Sequence, residues 1–315
     1  MTARRRTPAL LLFAGLALFP FVARFGAQAY LLPLGSRMLI LAVAALSLDF
    51  LVGQGALVSF GHAAYLGIGA YAVVLASMGG IDDLIVQALI AVVAASIFAA
   101  LTGYVSLRAS GVYYIMSTLA FGQMLYFLFV SLSALGGDDG YTLSNRSRLF
   151  GEPLLTSDFS FYYACLGVLA LAYLILARIA VSRFGRVLNA IRQNPLRARA
   201  LGFRPFPFQL AACVIAGAIA AIAGTLLANQ SQFVAPAFMS WQRSGELLVM
   251  TILGGVGSLW GAVLGAIVYL SLEEALSLLT DQTHLLIGPL LVVVAIFGRR
   301  GLAGALIPKV TGAVA

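Results

Sequence analysis

Ten apolar runs divide this chain of 315 residues: 9–23, 36–52, 56–79, 84–106, 111–135, 161–181, 208–229, 245–256, 258–280 and 284–298. A helix needs about 20 such residues to cross about 30 Å of hydrocarbon, and most of the runs reach that length. The chain is 62% hydrophobic and only 10% charged, against about 25% charged in an ordinary soluble domain. So few polar groups cannot cover so much apolar surface in water, whereas a lipid-exposed surface removes the difficulty. The expected fold class is all-α: a polytopic membrane helical bundle of roughly 8–10 transmembrane or re-entrant helices in a single domain, 1–315. Cys165 and Cys213 lie inside apolar runs and read as small packed hydrophobes, not as a disulfide or a zinc site.

Basic residues set the orientation. Net charge is +8, and Arg supplies all but one of the 19 basic residues. A basic balance can mean nucleic acid, but in an apolar chain it reads as cytoplasmic loops facing anionic lipid, with no nucleic-acid partner. Arg4, Arg5 and Arg6 before the first run, with Ala27-Gln28-Ala29 after it, follow signal-peptide grammar. An uncleaved first helix fits better, because further spans follow at once. With the N-terminus inside and a crossing at each run, Arg108 and the loop 182–206 fall inside. Asp82, Asp83, Asp138, Asp139, Glu152 and Asp158 fall outside, four of them in the external loop 136–160 with its Pro153. Arg299, Arg300 and Lys309 fall inside if 245–280 crosses twice, so both termini are expected in the cytoplasm. Gly254-Gly255-Val256-Gly257-Ser258 then marks a break or re-entrant turn, tolerable at membrane depth only when buried in protein.

Several features carry candidate function. In the loop 182–206, Phe184, Val187, Leu188 and Ile191 recur at helical spacing, so one face is apolar while Arg186 and Arg192 decorate the rest. Asn194 can cap a second helix that Pro195 opens and Gly202 ends. Two short helices meeting at a corner are predicted. They suit either a basic element lying on anionic lipid or a docking element for a cytosolic partner. Gly53, Gly55, Gly61, Gly67 and Gly69, with Ser59 and His62 among them, permit either close helix packing or an unwound backbone beside a pathway. A weaker echo, a serine followed by two glycines, links Ser59–Gly67 with Ser258–Gly265 as an internal repeat would. Of the acids in apolar runs, Asp49 is expected where water reaches it. Glu246 is expected to open a helix, and Glu273 and Glu274 to lie at the interface. None has an obvious basic partner inside the membrane. The only lysine is Lys309, so no P-loop exists, and His62 and His284 form no metal-spaced cluster. Neither catalytic residues, a cofactor nor a metal is expected.

Four stretches together resemble a known family. They are Leu46-Ser47-Leu48-Asp49-Phe50-Leu51-Val52-Gly53 running on to Ser59-Phe60-Gly61-His62-Ala63-Ala64-Tyr65-Leu66-Gly67; Leu107-Arg108-Ala109-Ser110-Gly111-Val112-Tyr113-Tyr114; Arg183-Phe184-Gly185-Arg186-Val187-Leu188-Asn189-Ala190-Ile191-Arg192 ending at Ala200-Leu201-Gly202; and Leu247-Leu248-Val249-Met250 through Leu253-Gly254-Gly255-Val256-Gly257-Ser258-Leu259-Trp260-Gly261. Over residues 36–298 the chain resembles the Liv-type permeases of branched-chain amino acid ABC importers, in their LivM-like branch. The resemblance implies a bacterial inner-membrane subunit pairing with a second homologous permease. It also implies two cytosolic ATPase subunits that bind the ATP, and a periplasmic or lipid-anchored substrate-binding protein. Gly185, Arg186, Ala190, Ile191, Arg192, Leu201 and Gly202 would couple permease to ATPase. Ser59, Gly61, His62, Glu246, Gly255 and Gly257 are placed on the substrate pathway, because a charged substrate needs backbone dipoles or polar side chains to replace water. Two departures stand out: Asp49 where the family pattern expects Asn, and Gln193-Asn194-Pro195 where acids are common. Permeases for urea, short amides or aromatic acids share the motifs. A secondary, ion-coupled transporter is the rival reading. It should carry paired charges at mid-depth, whereas the acids here sit near segment ends.

Overall fold

The computed structural model describes residues 7–25, 30–149, 151–152, 155–278, 288 and 301–306. Arg4 to Arg6, Ala27-Gln28-Ala29, Pro153, His284, the tenth run apart from Gly288, Arg299, Arg300 and Lys309 lie outside the described residues.

The described residues are helical almost throughout. The helices are α1 (Thr7–Phe25), α2 (Leu31–Gly55), α3 (His62–Met78), α4 (Leu84–Ser106), α5 (Val112–Ser131), α6 (Asp158–Val181), α7 (Arg183–Gln193), α8 (Pro195–Ala200), α9 (Pro205–Ser231), α10 (Trp241–Gly254), α11 (Leu259–Ser277) and α12 (Gly301–Leu306). Six of them, α2, α4, α5, α6, α9 and α11, are long and apolar enough to cross a membrane, and α1 and α3 carry shorter apolar stretches. With α10, nine helices among the described residues fill the role expected of the apolar runs. The sequence merges two features. The run 56–79 begins with a non-helical stretch, 56–61, and the run 245–256 extends back to Trp241.

α9 lies at the centre, packed against α2, α3 and α4, while α2 also packs on α6 and α11. Small residues let these backbones meet: a Cβ on Gly69 would overlap the Ala221 carbonyl, and one on Gly224 the Leu66 carbonyl. α2 is buried on every side from Leu39 to Val52. α5, by contrast, buries only Tyr114, Thr118 and Gly122 and exposes Tyr113, Met116, Met124 and Phe127.

The two ends of the bundle differ in charge. At one end, Tyr104 packs edge-on against Phe206 with centroids 5.5 Å apart, and the Phe60 amide donates to Thr118 Oγ1 at 3.2 Å. Here lie Arg108 and the Arg-rich loop after α6. At the other end the loop after α5 pairs as a short strand, β1 (Tyr141–Thr142), with β2 (Phe233–Val234). Close by, the Arg148 amide donates to the Asp82 carbonyl at 2.7 Å. α1 runs antiparallel to α6, with Phe13 beside Tyr173 and Phe21 beside Phe159. Ala9, Trp260 and Ala303 cluster together, so the start of α1 and α12 both sit at the basic end. The serine-glycine echo ends at composition. Ser258 caps α11 through the Gly261 amide at 3.2 Å, whereas α3 has no side-chain cap.

Candidate functional site

The loop after α6 folds as its pattern dictates. Ser182 starts α7 by accepting from the Gly185 amide at 3.3 Å. Gly185, Leu188 and Ile191 face the bundle and are buried, and Phe184 stacks on Phe208 of α9. A side chain at Gly185 would collide with the Ala180 and Ile179 carbonyls, so only glycine lets α7 turn this closely off α6. Asn194 turns the corner into α8 by accepting from the Arg197 amide at 3.0 Å, with Pro195 next. Gly202 ends the unit at φ +87°, the left-handed conformation glycine adopts most easily. The outward surface carries Arg186, Ala190, Arg197, Arg199 and Gly202, with Leu196 at 73% and Leu201 at 70% exposure.

The seven predicted coupling residues therefore divide. Arg186, Ala190, Leu201 and Gly202 are exposed, and Gly185 and Ile191 hold the unit to the bundle. Arg192 is exposed as well, yet its guanidinium also reaches the bundle: its Nη1 donates to the Gly53 carbonyl near the end of α2.

Two helix breaks lie close to Gly53. The first follows α2, where Ala56 is left-handed at φ 54° and the chain climbs back into the bundle. His62, opening α3, bonds through Nε2 to Ser47 Oγ at 2.8 Å. Ser47 lies eight residues before Gly55, about 12 Å along a helix. The second break separates α10 from α11, with Gly255 at φ 105° and Gly257 at φ 82°. The Gly257 amide donates to Asp49 Oδ1 at 2.7 Å, and Thr251 Oγ1 donates to the Ala45 carbonyl at 3.3 Å. At the other end of α10, Met239 fills the space beside Gly67. Gly67 lies eleven residues, about 16 Å, from the end of α3, so the chain enters the bundle before α10 starts. Ser244 Oγ accepts from the Ala63 amide at 3.0 Å, joining the N-terminal turns of α10 and α3 inside the bundle.

Of the predicted pathway residues, Ser59, Gly61, His62, Gly255 and Gly257 gather around these breaks. Ser59 and His62 are buried, and a Cβ on Gly61 would overlap the Thr118 carbonyl. Glu246 lies apart from them. It is the sixth residue of α10, which Ser240 caps, so it does not open the helix. It also has a partner the sequence reading missed: Arg243 Nη1 lies 2.5 Å from Glu246 Oε2, both side chains 22% exposed. Arg37 of α2 and Glu273 of α11 carry further charges on the helices packed against α10. Asp49 corrects a further expectation. It is wholly buried, and among the described residues its Oδ2 has no hydrogen-bond partner. The i,i+3 spacing of Arg243 and Glu246 was a usable signal for the first of these. Nothing local signals that Gly257 would come to Asp49.

At the acidic end a polar cavity of about 400 Å³ is lined by Asp82, Asn145, Arg146, Arg148, Thr156, Asp158 and Gln232. Arg146 and Asp158 pair across it at 2.7 Å. Among the described residues no group of three or more metal-ligating side chains occurs.

A bundle of spans interrupted by non-helical breaks, with an amphipathic unit projecting from its basic end, is the build of a membrane transport permease. The chain belongs to the family described as the permease component of branched-chain amino acid transport systems, whose model matches residues 31–295. It is similar to the high-affinity branched-chain amino acid transport system permease protein LivM of Salmonella typhimurium, with 27% identity over 311 residues, 90% of this chain and 71% of that protein. LivM of Escherichia coli K12 is 28% identical over 291 residues, covering 84% of this chain and 68% of that protein. LivH of Escherichia coli K12 is 30% identical over 129 residues, 40% of this chain and 41% of that protein. No solved structure gives a significant match. The chain is thus a permease subunit of an ABC importer and not an enzyme.

Proposed function

We propose that this subunit forms, with a second homologous permease, the inner-membrane pathway for branched-chain or similar amino acids. Two cytosolic ATPase subunits drive it through α7 and α8, and a binding protein delivers substrate at the acidic end. The observation that carries the reading is the exposed face of α7 and α8. It combines Arg186, Arg197 and Arg199 with Leu196 and Leu201 on a unit pinned to the bundle, and mixed apolar and Arg surface is what a protein partner buries. Lipid alone would be met as well by a floppy basic loop.

The basic end then faces the cytoplasm, by the positive-inside rule. The acidic end, with its polar cavity, faces the binding protein. The α3 and α10 N-terminal turns that meet at Ala63 and Ser244 offer the positive ends of two helices to a substrate carboxylate. Arg37, Arg243, Glu246 and Glu273 supply both signs of charge on α2, α10 and α11, as a zwitterion requires. An aliphatic substrate side chain needs only apolar surface, which the exposed face of α5 provides at a permease–permease contact. The ATP is bound by the partner subunits and this chain holds no cofactor.

The test is association. The importer subunit should co-purify with its ATP-hydrolysing partner, and Arg186→Glu should cut both association and ATP-driven uptake at least fivefold with expression unchanged. Normal uptake by a well-expressed Arg186→Glu variant contradicts the docking assignment.

A further inference from the structure

Among the described residues, one side-chain hydrogen bond runs from α7 or α8 to a membrane helix: Arg192 Nη1 to the Gly53 carbonyl. Its target is special. Carbonyls in the last turn of a helix lack helical partners and form the negative end of its dipole, so a guanidinium is favoured there. Gly53 is also where the second break touches α2, since a Cβ on it would run into Gly257. The Cβ position of Gly257 lies 3.6 Å from both Arg192 Nη1 and the Gly53 oxygen. One turn earlier, Asp49 Oδ1 holds the Gly257 amide at 2.7 Å. One guanidinium, one buried carboxylate and two glycines therefore join three segments: the docking helix, the end of α2 and the α10–α11 break. In the break itself Gly255 and Gly257 both sit at positive φ, a conformation that glycine adopts without steric cost.

We propose that Arg192 is a positioning residue for coupling, carrying displacement of α7 into the Gly255–Gly257 break instead of contacting the ATPase. This rests on the ABC reading above but reassigns the residue. Arg186 meets the partner on the outer face, and Arg192 passes the movement inward. Rigid transmission needs a strong, directional contact, and a charge-assisted bond to an otherwise unpaired carbonyl is one.

Two measurements on the full chain decide it. First, spin labels on Leu196→Cys of α8 and Val256→Cys of the break, both at exposed positions, should give one narrow distance distribution. Arg192→Gln should broaden it, and Arg192→Lys, which keeps a charged donor, should narrow it again. Second, in the assembled complex Arg192→Gln should retain ATPase association within twofold while uptake per ATP hydrolysed falls about tenfold, with Arg192→Lys recovering at least half. An unchanged distribution in Arg192→Gln overturns the link. Loss of ATPase association with the distribution intact overturns it too, since Arg192 would then be a docking contact. If the unaltered complex shows no ATP-driven uptake, the importer reading fails, and the distance measurement still decides the link.

Discussion

At the scale of single residues, glycine has the most exacting work in this chain. Gly61 shows why. Its missing side chain leaves room for the Thr118 carbonyl, and Gly122, one turn further along α5, packs against its Cα. Adding a methyl there must push backbone apart, and overpacking of that kind costs about 1–3 kcal/mol. Folded yield and uptake should therefore fall together in Gly61→Ala, measured as detergent-extracted monodisperse protein and as uptake in the assembled complex. Full yield with uptake alone reduced would contradict the packing account and favour a direct pathway role. The sequence names the right glycines, because clustering of small residues is visible in any helix pattern. It cannot say which backbone each one meets, since Gly53 with Gly257 and Gly61 with Thr118 are distant in sequence. Asp49 is misplaced for the same reason. Near the end of an apolar run it looks wettable, and only the tertiary approach of Gly257 explains a carboxylate with no exposed surface.

At the scale of elements, legibility follows how local the cause is. The α7–α8 corner is specified within a few residues: an apolar stripe at 3.6-residue spacing, an Asn cap, Pro at the first position and Gly at the end. The folded unit matches that reading, with Asn194 Oδ1 on the Arg197 amide at 3.0 Å. Removing the cap in Asn194→Ala should cost about 1 kcal/mol. Amide exchange over 195–201 should then quicken by about fivefold, with the membrane helices unaffected, as read by hydrogen–deuterium exchange mass spectrometry. Unchanged exchange would mean that packing of Ala198, not the cap, holds α8. The breaks are less legible. Residues 56–61 are apolar enough to pass for the first turns of a span, and hydropathy cannot distinguish a helix from an extended stretch that climbs inside the protein. The second break is announced by three glycines in four residues and is found where expected, but the inward entry of the chain before α10 leaves no compositional trace.

For the whole molecule, charge distribution and fold agree. The sequence places the Arg-rich loop and both termini on one side and the acids of the external loop on the other. The structure brings the start of α1, α7, α8 and α12 to one end and the β1–β2 pair to the opposite end. Reporter fusions at Gly140 and immediately after Leu306 should accordingly report opposite sides, with Leu306 cytoplasmic. The same side for both would break the topology. The wider surfaces follow from the same logic: α5 exposes Tyr113, Met116, Met124 and Phe127, a face for lipid or for a second permease and not for water. On the proposed function, this subunit moves an amino acid only when separate ATPases drive it. The direct measurement is uptake of labelled leucine into proteoliposomes holding this chain, its partner permease, the ATPases and the binding protein. ATP should drive accumulation, and withholding the ATPases should abolish it even under an imposed proton or sodium gradient. Gradient-driven accumulation by this chain alone, indifferent to ATP, would contradict the account.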